Sequence, residues 1–151
     1  MSVWNDILST LEDWKADRQP KDLSFGKRGE QVAEKFLKKQ RYRIVARGYR
    51  NHIGEIDLIA IDTKAKPRTV VFVEVKTRQS DFRGLPVEAV DEKKQRQITH
   101  TAMVYLKKND LLECRYRFDV IGILWPELDQ MPTIEHFQSA FESTADGQLF
   151  N

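Results

Sequence analysis

The sequence predicts a single α/β domain built on a mixed central sheet with helices on both faces. Segments 54–62 and 70–78 are rich in Val, Ile and Phe and are separated by a turn containing Lys66 and Pro67, as expected for paired strands. Apolar residues fill consecutive positions in both segments, so both faces of these strands need a covering layer. A strand–helix–strand order between 69 and 124 adds a right-handed crossover, which places the last strand parallel to its partner.

Length and composition fit one globular domain. The chain has 151 residues, of which 40% are hydrophobic and 32% charged, and no apolar run approaches membrane-spanning length. We therefore expect a soluble protein that does not associate with a membrane. Cys114 is the only cysteine, which excludes an internal disulfide and a cysteine-based zinc site. Because the N-terminus also lacks the pattern of a signal peptide, a cytoplasmic location is the simplest expectation.

The chain divides into three predicted parts: an N-terminal helix and linker at 1–22, a central domain at 23–125 and a C-terminal extension at 126–151. The helix at 3–17 carries apolar residues at helical spacing and would expose an apolar patch if it were left free. It is expected to pack on its own domain or across a two-fold homodimer, and the dimer is favoured. The extension could add an edge strand at 133–141.

The central domain follows a simple order of elements. Ser24 is the expected N-cap of the first helix, and three strands joined by short turns predict an antiparallel meander. The predicted elements are a helix at 25–40, strands at 42–49, 54–62 and 69–77, a long helix at 87–108 and a strand at 116–124.

Charged residues within the apolar strands mark the candidate site. Asp57, Glu74 and Lys76 are surrounded by Val, Ile, Leu and Phe, where a carboxylate is costly unless it is paired or binds a cation. Side chains alternate along a strand, so Glu74 and Lys76 point the same way, and a hairpin can bring Asp57 beside Glu74. This combination fits a hard divalent metal such as Mg²⁺. The alternative is a solvated face with a weak ion pair.

The net charge is only +2, but its distribution is uneven. Basic residues crowd the segments 27–50 and 78–96, and acidic residues concentrate at 6–22 and 127–146, which suggests one face for a polyanion. The alternative is that these lysines and arginines solvate helix surfaces. Lys94 falls within the apolar stripe of its helix, so its side chain either snorkels out or reaches a functional cleft. The histidines lack metal-ligand spacing and are predicted to be surface residues: His52, His100 and His136.

Several short motifs occur in a specific order along the chain. They are Gly-Lys-Arg-Gly-Glu at 26–30, Gly-Glu-Ile-Asp-Leu-Ile-Ala at 54–60, Val-Phe-Val-Glu-Val-Lys-Thr-Arg at 71–78, Lys94, and Arg-Phe-Asp-Val at 117–120. Together they resemble the core of the PD-(D/E)xK nuclease superfamily, within it the archaeal-type Holliday junction resolvases, and more narrowly the bacterial YraN family. The resemblance covers about residues 25–124 and implies a restriction-endonuclease-like αβββαβ core. Ile56 stands where the family pattern usually has proline.

The resemblance also implies roles for individual residues. Asp57 and Glu74 would hold Mg²⁺ or Mn²⁺, together with the main-chain carbonyl of Val75. Lys76 would orient the attacking water or offset charge that develops on the phosphate. Glu30 would reach the metal through water or position the nucleophile.

The function expected from the resemblance is a metal-dependent endonuclease that hydrolyses phosphodiester bonds in branched or structured DNA, during DNA repair or recombination. The basic residues after the third strand and at the start of the long helix are expected to hold the nucleic acid: Arg78, Arg83, Lys93 and Lys94. One alternative is a nucleic-acid-binding module of the same fold that does not cleave or needs a partner. Another is a protein-interaction domain in which the charged cluster is structural.

Overall fold

The computed structural model describes residues 23–81 and 84–144. The helix predicted at 3–17 and the candidate residue Arg83 lie outside these ranges. The described elements are α1 (Phe25–Lys39), β1 (Tyr42–Arg50), β2 (Glu55–Asp62), β3 (Thr69–Arg78), a 3₁₀ turn (Pro86–Ala89), α2 (Glu92–Lys108), β4 (Arg115–Leu124) and β5 (Thr133–Phe141). None of the described helices is both long enough and apolar enough to cross a membrane.

Within the described residues, the strands form one sheet in the order β1-β2-β3-β4-β5. The first three strands are antiparallel, β4 runs parallel to β3, and β5 is antiparallel to β4. The mixed sheet and the parallel crossover predicted from the sequence are therefore confirmed. An edge strand is present at Thr133–Phe141, the segment where the sequence suggested one.

The two helices cover opposite faces of the sheet, as two-sided apolar strands require. On the α1 face, the core includes Ala33, Leu37, Leu58, Val71 and Ile121. On the α2 face, it includes Phe72, Ile98, Ala102, Leu106 and Phe118. This α/β arrangement is that of a restriction-endonuclease-like core.

The long second helix begins later than the sequence suggested. A helix was expected from residue 87, but Pro86–Ala89 forms a 3₁₀ turn and α2 begins at Glu92. Asp91 has an extended backbone, and its side chain accepts a hydrogen bond of 2.8 Å from the N–H of Lys94, so it acts as the N-cap. The apolar spacing of Val87 and Val90 suits a helix but does not report this cap.

A buried polar network joins β1, β2, β4 and β5 on the α1 face. Asp119 is fully buried and accepts hydrogen bonds from Arg117 Nε at 3.0 Å and from the N–H of Ser139 at 3.0 Å; its Oδ2 lies 2.7 Å from His136 Nε2. Arg117 also donates to Asp62 at 2.9 Å and to the Tyr42 hydroxyl at 2.7 Å.

This network corrects one expectation and explains another. His136 is not a surface histidine, because its ring packs edge-on against Phe36 and contacts Asp119. Asp119 faces inward, and the network supplies the partners that a carboxylate in an apolar strand needs. Burial lowers the pKa of Arg117, but the carboxylates of Asp119 and Asp62 outweigh it and hold that pKa above its usual value.

Removing the Asp119 carboxylate should therefore strongly destabilise the folded protein. Asp119→Ala leaves the buried guanidinium of Arg117 without its main partner, and we expect the free energy of unfolding to fall by about 3–5 kcal/mol. The matched control is Arg47→Ala, which breaks an exposed ion pair with Glu34 and should cost at most about 1 kcal/mol. Urea unfolding measures both changes, and similar losses in the two variants would contradict the structural role of the network.

A close contact between α1 and β3 sets the position of the first helix. A Cβ atom added at Gly29 would lie 1.7 Å from Thr77 Oγ1, whereas one added at Gly26 would meet nothing within 4 Å. Glycine at position 29 thus allows the helix to approach the strand directly beside the next residue, Glu30.

These two glycines of one helix should respond differently to alanine. Gly26→Ala should leave the free energy of unfolding unchanged or raise it by up to about 1 kcal/mol, because alanine is the better helix former. Gly29→Ala should lower it by about 1–3 kcal/mol through overpacking, and Thr77→Ala should recover part of this loss in the double variant. Thermal and urea unfolding test this, and a stabilising Gly29→Ala would show that the helix does not need this approach.

Candidate functional site

The candidate site lies where β2 and β3 separate. The ladder between them ends at the pair Leu58–Val73, while β3 continues along β4 as far as the pair Arg78–Leu124. Asp57 therefore lies just past the end of the ladder, and its Oδ2 accepts a hydrogen bond of 2.8 Å from the N–H of Val75. The β2-facing edge of β3 is open from this point onward.

Asp57 and Glu74 lie on the same side of the sheet and their carboxyl groups interact. Burial and the nearby Glu74 carboxylate raise the pKa of Asp57 to about 6, against the opposing effect of the Val75 N–H. Glu74 is itself buried, with 8% of its side chain exposed. Without a cation, this pair holds a proton more tightly than an exposed aspartate would. The juxtaposition expected from strand alternation is present.

Two lysines from different elements reach the Glu74 carboxylate. Lys76 Nζ lies 3.3 Å from Glu74 Oε1, and Lys94 Nζ lies 3.9 Å from the same oxygen. Lys76 comes from the same strand, two residues further on, whereas Lys94 comes from the first turn of α2. The Lys94 side chain approaches Glu74 instead of snorkelling fully into solvent, and it is 35% exposed.

The first helix supplies a third carboxylate. Burial raises the pKa of Glu30, a hydrogen bond from Lys27 lowers it, and the neighbouring Asp57 raises it further. Lys27 Nζ is 3.0 Å from Glu30 Oε2. Glu30 thus belongs to the same electrostatic cluster as Asp57, as expected. Lys27 was not singled out from the sequence, although its spacing of three residues from Glu30 on a helix is a sufficient signal.

The donor atoms at this position suit a hard cation. Asp57 and Glu74 offer carboxylate oxygens, and the carbonyl of Val75 faces the same open edge of β3 as its N–H group, because both groups of a residue point to one side of an extended strand. In the described part of the chain, no three His, Cys, Asp or Glu side chains form a ready metal cluster. Two carboxylates with a carbonyl and water are nevertheless the kind of set that Mg²⁺ takes.

Comparison with known proteins agrees with the motif order. A family model described as "Uncharacterised protein family UPF0102" matches residues 29–123, which include all four candidate catalytic positions. This chain belongs to the UPF0102 (YraN) family. A UPF0102 protein of Rhodopirellula baltica is 40% identical over 138 residues, which are 91% of this chain and 81% of the relative. UPF0102 proteins of Trichlorobacter lovleyi and Geobacter metallireducens are 46% and 47% identical, over 78% and 79% of this chain and 89% and 93% of the relatives.

The basic residues expected to bind nucleic acid occupy different environments in this UPF0102 chain. Arg78 donates a 2.7 Å hydrogen bond to the carbonyl of Gly84, so its guanidinium is engaged in holding the loop after β3. Lys93 is exposed on the first turn of α2. Lys94 lies in the candidate site itself, and Arg83 is outside the described residues.

A hydrogen-bonded turn positions the start of β2, and sequence reasoning identified it only as a turn. Asn51 Oδ1 accepts from the N–H groups of Ile53 and Gly54, and Asn51 Nδ2 donates to the carbonyl of Thr101 on α2. Gln97 of α2 donates to the carbonyl of Ile53 at 3.2 Å. The strand that carries Asp57 is thereby fastened to the helix that carries Lys94.

The raised pKa of Asp57 predicts a specific pH dependence of stability. The pKa of Asp57 is 3.8 in the unfolded chain, so between about pH 4 and 6 the folded protein binds more protons at Asp57 than the unfolded chain does. The free energy of unfolding therefore falls as the pH rises through this range. The loss at neutral pH is about 2–3 kcal/mol. Asp57→Asn, which keeps an acceptor for the Val75 N–H, should remove this pH dependence and stabilise the metal-free protein at pH 7.

A bound metal ion should stabilise the folded protein, whereas ionisation of Asp57 without metal destabilises it. At pH 7, Mg²⁺ or Mn²⁺ should raise the melting temperature of the wild type, because a cation relieves the repulsion between the carboxylates and binds only the folded state. The Asp57→Asn variant should show little response. Melting curves over a series of metal concentrations test this, and an equal shift in both proteins would indicate binding elsewhere.

Proposed function

We propose that this protein is a metal-dependent endonuclease that hydrolyses phosphodiester bonds in branched or structured DNA. One observation carries the proposal. Two interacting carboxylates, Asp57 and Glu74, lie at an open strand edge, and the ammonium group of Lys76 contacts the Glu74 carboxylate. The resemblance of the motifs to PD-(D/E)xK nucleases, and more narrowly to Holliday junction resolvases, supplies the substrate class.

The donor set fits Mg²⁺ or Mn²⁺, which Asp57, Glu74 and the Val75 carbonyl would hold. When bound, the ion supplies positive charge to a repelling phosphodiester and lowers the pKa of a bound water. The carboxylates would contribute little to catalysis by themselves, because negative groups repel the substrate. Their role is to fix the position of the cation at the open edge of β3.

The lysines and Glu30 have separate roles around that position. Lys76 exchanges its contact with Glu74 for a phosphate oxygen or the attacking water, and so offsets charge that develops during hydrolysis. Glu30, held between Lys27 and Asp57, positions the water that attacks phosphorus. Lys94 shares the Glu74 carboxylate with Lys76 and keeps the buried charge compensated when Lys76 turns toward substrate.

The second candidate is a nucleic-acid-binding module of the same fold that cleaves only with a partner or does not cleave. The observation that favours it is the engagement of both lysines with Glu74, which leaves neither free to meet a phosphate before the site rearranges. Folds of this kind do not guarantee catalysis.

Cleavage by defined variants separates these two candidates. With Mg²⁺ or Mn²⁺, the wild type should cleave a four-way junction or a flap faster than plain duplex or single-stranded DNA. Lys76→Ala should slow single-turnover cleavage at saturating protein by about 10²–10³-fold, because it removes one positive group from the transition state, with little change in affinity. Glu74→Gln should lose metal-dependent cleavage altogether.

The matched control is Lys108→Ala, a lysine-to-alanine change at an exposed position at the far end of α2, and it should cleave like the wild type. Normal cleavage by Lys76→Ala would refute the mechanism. Salt-sensitive binding by a wild type that cleaves none of these DNAs would favour the non-cleaving module.

A further inference from the structure

A second concentration of positive charge lies at the opposite end of the sheet from the candidate site. Cross-strand partners there form the row Tyr42–Asp62–Thr69–Arg115, which brings together the start of β1, the β2–β3 turn and the start of β4. The hydroxyl of Thr63 donates a 2.6 Å hydrogen bond to the carbonyl of Arg41, which ties the first two of these segments together.

Six exposed cations occupy this end, and we name them the distal basic surface: Arg41, Arg43, Lys64, Lys66, Arg68 and Arg115. Within the described residues, none of them forms an ion pair with a carboxylate. Asp62 cannot neutralise them, because it is buried, binds Arg117 and accepts hydrogen bonds from the N–H groups of Lys64 and Ala65. Lysines in the last turns of α1 and α2 are excluded from the definition, since helix C-termini favour cations regardless of any ligand.

The cations near the candidate site differ from these six, because they form ion pairs with carboxylates. Lys27 is paired with Glu30, Arg50 with Glu55 at 2.6 Å, and both Lys76 and Lys94 contact Glu74. The net charge of the whole chain is only +2, so six exposed cations outside any described ion pair are a notable local concentration of positive charge. Such a concentration attracts a polyanion.

We propose that the distal basic surface is a second nucleic-acid-binding surface, which contacts the phosphate backbone of a strand or arm other than the one at the candidate site. Glu74 and Thr69 are five positions apart on β3, so the two ends are separated by roughly 16 Å or more. That distance exceeds the reach of one phosphate group but is less than one turn of duplex, about 34 Å. The inference rests on the proposed function only in taking nucleic acid as the ligand.

The chemistry of the surface favours nucleic acid over an anionic membrane. Four of the six cations are arginine, whose planar guanidinium binds phosphate oxygens in pairs. A membrane-binding surface would add a cluster of apolar side chains for insertion, and in this part of the described structure the large apolar side chains with substantial exposure are Val45, at 40%, and Leu112, at 43%.

Neutralising the β2–β3 turn tests the proposal. The triple variant Lys64→Gln, Lys66→Gln and Arg68→Gln removes three positive charges at exposed positions. The matched control lowers the net charge by the same amount in the β4–β5 connection and at the first residue of β5, with Leu128→Glu, Gln130→Glu and Thr133→Glu, which are also exposed. Binding to a four-way junction and to plain duplex is measured without metal at several salt concentrations, and melting curves verify folding.

We expect the turn variant to flatten the dependence of log affinity on log salt by about two to three units, because each lost phosphate contact removes about 0.9. The control should change the slope by less than one unit. If the wild type does not cleave but the turn variant still flattens the salt slope, the nuclease proposal fails and the distal surface stands.

Three results would overturn the distal surface. The first is a turn variant with the same affinity and slope as the control. The second is loss of binding to vesicles of phosphatidylserine and phosphatidylcholine while DNA binding is retained, which would assign the surface to a membrane. The third is a wild type that binds neither DNA.

Discussion

The structure depends on unequal pairing of β3 along its two edges. On one edge β3 pairs with β4 along its whole length, and on the other it pairs with β2 only as far as Val73. The parallel pairing keeps the second half of β3 extended and rigid, while the missing partner exposes main-chain groups at Val75. Asp57 takes the place of the missing ladder contact by accepting the Val75 N–H. A carboxylate is thereby fixed at the open edge by the same break in pairing that creates the edge, and Glu74 is brought beside it by strand alternation.

This arrangement carries an electrostatic cost that the rest of the domain has to compensate. The raised pKa of Asp57 shows that burial and the second carboxylate disfavour its charge in the absence of a cation. On the α1 face, Asp119 is completely buried, but its charge is compensated by Arg117 and by two further hydrogen-bonding partners. The two aspartates therefore differ in kind: partners saturate the charge of Asp119, whereas Asp57 keeps a raised pKa, as is common at functional sites.

Much of this could be predicted from the sequence, since the decisive signals are local. Consecutive apolar residues in β2 and β3 indicate cover on both faces, and the period of two places Glu74 and Lys76 together. Contacts between distant segments could not be predicted in the same way. The pairing of His136 with Asp119 depends on the register of β5, and Lys94 reaches Glu74 from the first turn of a helix that begins at Glu92 instead of Val87. Periodicity reports which face of a helix is apolar, but not where a capping side chain starts it.

The distribution of charge links the site to the ligand that it would meet. Near Asp57 and Glu74, each lysine that faces a carboxylate lowers the cost of burying negative charge, and in doing so becomes less available to a phosphate. A phosphodiester enzyme built in this way must obtain its long-range attraction for substrate from cations outside the site. The exposed arginines and lysines around the β2–β3 turn are proposed for that role, because none of them forms an ion pair within the described residues and the nearby Asp62 is bound to Arg117. In the proposed mechanism, the cations that compensate the carboxylate pair serve the chemistry, and the exposed cations of the distal basic surface serve binding.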